Sequence, residues 1–403
     1  MSVRSRSRTV RLIGMSLLVI AGFGPLTSQA QEASPVPGDA PELTVVASGL
    51  TNPRGFTWGA DGTLYVALAG SGGTNPATEE APTTQAIGPF FGGSTGAVAQ
   101  IGADGCPVLV AGGLPSTSDA IGGVLGVEDV AILGGELYAA ADGGGPVHGN
   151  PDAPSGVYRI LADGTSELIA DLSTWVRENP VAAVPVDFDP DAAGYSLVAD
   201  ETAGVLWVGD PNSGQILSVS PDGVVARIAD LSEGHPVPTR MVAAPQGGVY
   251  IGTLTAVPFP DGAAKVMHVS ADGTVEDVWT GLTVVTDVAV GPDGVLYALE
   301  MSTGNLSEPP FLMPGSGRVV RQTGPDQYEV VAEGLMFPVA MEIGPDSAFY
   351  IALPALGANG GEGTIVWLPG GDDSAMPQGS GATCAPLPGT LTAVPAAATP
   401  EGA

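Results

Sequence analysis

The sequence predicts an all-β chain folded as a six-bladed β-propeller. Its blades are four-stranded and antiparallel, and the last is completed by an N-terminal strand. Three observations carry this. First, a hydrophobic pair containing an aromatic recurs at Leu64-Tyr65, Leu137-Tyr138, Leu206-Trp207, Val249-Tyr250, Leu296-Tyr297 and Phe349-Tyr350. Second, a turn mark recurs between these pairs at Gly49-Leu50, Gly113-Leu114, Asp171-Leu172, Asp230-Leu231, Gly281-Leu282 and Gly334-Leu335. Self-similarity at a period of roughly 40–60 residues marks stacked or radial repeats. Third, the strand count is displaced. The last unit lacks an outer strand after Leu368, while a spare strand, Leu43–Ala47, precedes the first unit. A ring closed by that spare strand buries two exposed edges. A linear solenoid would need capping repeats instead.

The chain before the first strand reads as an export signal over residues 1–30. Arg4, Arg6, Arg8 and Arg11 precede an apolar run from Leu12 to Leu26, and Ser28-Gln29-Ala30 is a small-residue cleavage site. No later segment is apolar enough for a transmembrane helix. Residues 31–42 form a Pro-rich lead-in, residues 43–369 the propeller, and residues 370–403 a Gly/Pro/Ala/Thr-rich tail expected to be disordered. The mature protein is therefore expected to be secreted or extracytoplasmic.

One unit displays the blade. Thr286 to Val290 is a short apolar run, Gly291-Pro292-Asp293-Gly294 a turn, and Val295 to Glu300 an alternating strand. A long loop follows, then Gly317 to Arg321, a turn at Pro325-Asp326, and Tyr328 to Ala332. We label these strands A to D, from the propeller axis outward. The C strands are Gly96–Ile101, Gly156–Leu161, Gly214–Val219, Ala264–Val269, Gly317–Arg321 and Gly363–Leu368. Asp-Gly turns follow four of them, at Asp104, Asp163, Asp222 and Asp272. The B-strand aromatics suit packing between blades, because a large flat side chain fills the gap between facing sheets.

Composition narrows function. Loss of the four signal arginines takes the formal net charge from −31 to −35. So acidic a surface repels nucleic acid and anionic lipid. The two cysteines, Cys106 and Cys384, permit one disulfide in an exported chain, stapling the tail to the ring. The Gly-x-Ser-x-Gly elbow, the His-Glu-x-x-His helix and the phosphate loop are all missing.

Chain direction sorts the loops. The B–C and D–A loops share one face, and the tight A–B and C–D turns share the other. The long segments 69–95, 142–155, 173–193, 255–263, 301–316 and 354–362 all fall on the first face, the usual place for binding on a rigid scaffold. Aligned A-strand starts there are Gly55, Asp129, Ser196, Arg240, Asp287 and Ala340. One residue earlier come Arg54, Glu128, Tyr195, Thr239, Thr286 and Val339. Arg54, Glu128, Asp129, Tyr195, Arg240 and Asp287 are thus the candidate binding residues, at the mouth of the central channel. They form either a ring of ion pairs closing the channel or a pocket for a small polar or anionic ligand. Oxygen ligands from Glu128, Asp129 and Asp287 would suit calcium, but Arg54 and Arg240 oppose a cation. No cofactor and no catalytic residue is assigned.

The segment Pro238-Thr239-Arg240, through Gly248-Val249-Tyr250-Ile251-Gly252 to Leu254-Thr255 and on to Pro258-Phe259-Pro260 and Gly262-Ala263-Ala264, resembles the fourth-blade motif of the ScyD/ScyE family. Asn52-Pro53-Arg54-Gly55 and the turn at Gly291–Gly294 are similar too, and the likeness spans roughly Leu43 to Leu368. The resemblance implies an exported NHL-like propeller with no settled biochemical activity and no catalytic residues to carry over. Two functions remain open. One is a module that binds a ligand or protein through its long-loop face. The alternative is a metal-dependent lactonase or hydrolase, which requires three or four convergent ligands with an open position.

Overall fold

The computed structural model describes residues 43–79, 89–119, 122–191, 194–370, 381 and 383–391. The expected signal and lead-in lie outside them. The described chain forms six antiparallel sheets around a central channel, a six-bladed β-propeller with 2% helix. Among the described residues no helix is long and apolar enough to cross a membrane.

The inner A strands are Pro53–Trp58, Val127–Leu133, Ser196–Asp200, Pro238–Ala243, Val285–Val290 and Ala340–Ile343, for blades 1 to 6 in order. The spare N-terminal strand, Thr44–Leu50, pairs antiparallel with Gly363–Leu368, with Thr44 opposite Trp367 and Leu50 opposite Gly363. It completes the sixth blade as the strand count predicts.

Each gap between blades holds its own apolar cluster, and the B-strand aromatics lie in these gaps. Tyr65 packs against the cluster between blades 1 and 2, and Tyr138 belongs to the one between blades 2 and 3. Trp207, Tyr250 and Tyr297 serve the next three gaps, and Tyr350 serves the gap where blade 6 meets blade 1. There its ring meets Trp58 edge-on at 4.9 Å. Complete burial of side chains such as Leu68, Leu206 and Leu217 contributes about 1.5–3 kcal/mol each.

Blade 1 departs from the four-strand expectation. Its C and D strands, Phe91–Ile101 and Pro107–Ser118, are 11 and 12 residues long. They overrun the blade and take on two short strands, Asn75–Pro76 and Val124–Leu125. This arm stands over the long-loop face. A helix, α1 (Leu172–Glu178), opens the blade 2 to blade 3 crossing. Asp171 caps it by accepting the Thr174 N–H, and Arg177 sits in its last turn.

Cys106 and Cys384 form a disulfide across 278 residues. Residues 383–391 of the tail are packed, unlike the disorder its composition suggests. Leu387 enters the cluster between blades 6 and 1, the Cys384 N–H donates to Ser48 Oγ, and Thr390 hydrogen-bonds Thr51. The covalent link confines this segment near the ring, so a few contacts suffice to order it.

Candidate functional site

The candidate residues converge, and they do so by a shared backbone device. In blades 1, 2, 4 and 5 the pairing of A with B shifts register between Pro53 and Phe56, Val127 and Asp129, Pro238 and Met241, and Val285 and Asp287. Blades 3 and 6 show no such shift. A bulge re-aims the side chains at that point. The four bulged strands are those that carry Arg54, Glu128 with Asp129, Arg240, and Asp287.

These side chains build a layer across the channel. Arg54 Nε donates to Glu128 Oε2 at 3.0 Å, Nη1 to the Pro53 and Ala355 carbonyls, and Nη2 to the Val124 carbonyl. The other Glu128 oxygen accepts the Gly126 N–H. Arg240 reaches across the axis from blade 4 to blade 2. Its Nη1 lies 3.0 Å from Asp129 Oδ2, its Nη2 donates to the Glu128 carbonyl, and its Nε lies 3.9 Å from Asp287 Oδ2. The Nη1 contact is an ion pair by distance, but Nε and Nη1 are buried without an aligned acceptor, so it is Coulombic rather than a directed hydrogen bond. The Tyr195 ring covers the guanidinium, 5.1 Å from its carbon.

The carboxylates also stitch blade to blade. Asp129 accepts the N–H of Leu197 in blade 3, and Asp287 that of Met341 in blade 6. Ser196 Oγ does the same for Met241 in blade 4. Thr239 and Thr286 donate to the next blade's carbonyls at Val285 and Pro338. Gly55 completes the layer by leaving room, since a Cβ there would lie 1.9 Å from Asp129 Oδ1 and 2.3 Å from Arg240 Nη1.

Burial governs the acids. It raises Asp129 and lifts Asp287 to about 7, against the lowering influence of Arg240 and of backbone N–H groups. Arg240 is itself lowered by burial, but Asp129, Tyr195, Asp287 and Glu128 raise it further, so it stays charged. The layer divides the channel into two cavities. The one toward the tight turns, about 200 Å³, is lined by Asp129, Arg240, Asp287, Glu342 and apolar inner-strand residues. Glu342 is exposed along the channel. Yet the enclosing walls, and then the Asp287 and Asp129 charges, still push its carboxyl well above the usual range. The cavity on the long-loop side, about 220 Å³, has Arg54, Glu128 and Tyr195 as its floor. Its walls include Phe90, Leu125, Met301, Val339 and Leu356, the first two from the overrunning arm of blade 1.

Sequence reasoning missed a second cluster. Asp187-Phe188-Asp189-Pro190-Asp191 is an Asp-x-Asp-x-Asp run in the blade 2 to blade 3 crossing, away from the A-strand starts that point to the channel. Its three acids take separate partners instead of converging. Asp187 meets His235 at 3.3 Å, Asp189 meets His148 at 3.0 Å, and Asp191 meets Arg177 at 2.8 Å. His148 is fully buried, with Nδ1 2.9 Å from the Gly144 carbonyl and Nε2 facing Asp189. The Gly144 carbonyl can only accept, so Nδ1 carries a proton, and an ionised Asp189 favours a second proton on Nε2. Burial alone would lower its pKa, but the hydrogen bond and charge of Asp189, with Asp142 and Asp191, outweigh it and raise it. Asp142 beside it is lifted to about 8 by burial. Phe90 meets the His148 ring edge-on at 4.7 Å, tying this knot to the long-loop cavity.

Among the described residues no three His, Cys, Asp or Glu side chains are grouped to hold a metal ion. The channel carboxylates surround a guanidinium instead.

No family model matches the sequence, and no curated protein matches it. Solved structures do. The PQQ-bound aldose sugar dehydrogenase of Streptomyces coelicolor is 14% identical with a TM-score of 0.51, over 83% of this chain and 99% of that one. A putative oxidoreductase (glucose dehydrogenase) of Thermus thermophilus is 13% identical with a TM-score of 0.51, over 82% and 100%. A calcium-binding protein, regucalcin, of Agrobacterium tumefaciens is 14% identical with a TM-score of 0.47, over 81% and 93%. At these identities the likeness is one of fold alone.

Proposed function

We propose that the protein is an exported, non-catalytic ligand-binding propeller of ScyD/ScyE type, which takes a small molecule in the cavity on its long-loop face. The observation that carries this is the division of the channel. A rigid layer of ion pairs supplies a floor, and the arm of blade 1 with the long loops supplies walls. At about 220 Å³ the cavity falls below the roughly 300–1,000 Å³ of typical drug-sized sites, so the ligand is small. The ScyD/ScyE assignment rests on the Pro258-Phe259-Pro260 segment and the blade-four motif around it, and export on the N-terminal arginines and apolar run. No resident metal belongs to this reading, because Arg240 occupies the point where the channel acids converge.

The test is a fragment screen by saturation-transfer NMR on the disulfide-bonded protein, repeated on two variants. Leu356→Trp fills the cavity rim, and Leu109→Trp alters an equally exposed site on the outer strand of blade 1. Fragments that bind are expected to lose their signal in the first variant and keep it in the second. Signals that persist in both would refute the site.

A further inference from the structure

We infer that the long-loop cavity selects an uncharged, largely apolar molecule and disfavours ions of either sign, an inference that rests on the reading of that cavity as the binding site. The residues there invite the opposite conclusion, since an arginine and a glutamate form its floor. Their bonding capacity is spent elsewhere. Arg54 donates from all three nitrogens, to Glu128, Pro53, Ala355 and Val124. Glu128 is filled on one oxygen by Arg54 and on the other by the Gly126 N–H. The pair is neutral, directed sideways into the ring, and nearly fully buried. Arg240, the other cation of the layer, is screened by the Tyr195 ring and does not line this cavity. An arriving carboxylate would thus be desolvated without a free cationic donor, while facing Asp119 at the rim. An arriving ammonium would find a single rim carboxylate, Asp119, with one oxygen taken by the Gly123 N–H, and would face the Arg54 guanidinium in the floor with Arg240 beneath it. Burying an unpaired charge is strongly unfavourable, because hydration is lost without a compensating partner.

The walls fit a neutral guest. Phe90, Val124, Leu125, Met301, Val339 and Leu356 present apolar surface. Thr117 lines the same cavity, is fully buried, and its hydroxyl has no hydrogen-bond partner among the described residues. A hydroxyl both donates and accepts, so it matches an alcohol or carbonyl on the guest, reached by rotation about its own side-chain bond.

A matched set of probes isolates charge from shape: cyclohexylmethanol, cyclohexanecarboxylate and cyclohexylmethylammonium, titrated into the intact protein at physiological ionic strength. The alcohol is expected to bind about ten-fold or more tightly than either ion, and Leu356→Trp to weaken the alcohol at least about five-fold. If an ion binds as well as the alcohol and Leu356→Trp still abolishes it, the ligand class is overturned while the site stands. If Leu356→Trp leaves the alcohol unaffected, or no probe binds, the site falls and the class with it.

Discussion

The two halves of the channel differ in a way that the charge map alone would misread. Toward the tight turns the cavity holds Asp129, Asp287 and Glu342 against a single guanidinium, Arg240. Toward the long loops it has apolar walls over an ion pair whose hydrogen bonds are spent. The charged half resembles a site and serves the ring, since its carboxylates bind the N–H groups of the following blades. The quieter half is free to bind, because its floor is already satisfied. A charged cluster on a symmetric scaffold has first to be counted against the structural bonds it makes.

That contrast can be broken most forcefully at Arg240. Arg240→Met would leave three carboxylates facing one another and lose the contact between blades 2 and 4. We expect it to cost about 3–5 kcal/mol of stability at pH 8, measured by denaturant unfolding. A loss below about 1 kcal/mol would mean that the layer does not hold the ring.

A smaller effect comes from pH. Asp287 and Asp142 are lifted to about 7 and about 8, and Asp129 and Glu342 are raised. The folded protein therefore keeps protons that the unfolded chain has released. The sign follows: the stability these acids contribute is fully present below their unfolded pKa of about 4 and declines as pH rises toward 8. His148, also raised, contributes stability below its unfolded pKa and loses it as pH climbs through the folded value, so it acts in the same direction. Calorimetric melting from pH 5 to 8.5 should show a falling Tm, and Glu342→Gln should flatten the fall and raise the Tm at pH 8 by about 1–3 °C. A Tm that rises across this window would contradict the assignment of acids that hold their protons in the folded state.

Much of this architecture is legible in the sequence, for a physical reason. Every blade must fill the same gap, so Tyr65, Tyr138, Trp207, Tyr250, Tyr297 and Tyr350 repeat and set the register. Ring closure follows from Thr44–Leu50 because an unpaired edge at Leu368 is costly. The candidate layer was legible only as a set of positions. Who pairs with whom depends on closing the ring, which brings Arg240 across the axis to Asp129, and on bulges that one extra residue creates without altering the strand pattern. The overrun of blade 1 was hidden too. Phe91–Ile101 begins in a Gly/Ser/Thr-rich stretch, Gly92 to Gly96, that reads as loop until a partner strand is beside it. The run from Asp187 to Asp191 escaped sequence reasoning because it lies in a crossing away from the A-strand starts, and only the fold shows each aspartate turned to a different basic side chain.

The most direct measurement is a crystal structure of the protein soaked with cyclohexylmethanol. Density is expected on the long-loop side, over Tyr195 and between Phe90 and Leu356, with the Arg54–Glu128 pair unmoved. Density on the tight-turn side against Glu342, or a guest that displaces Glu128 from Arg54, would contradict this.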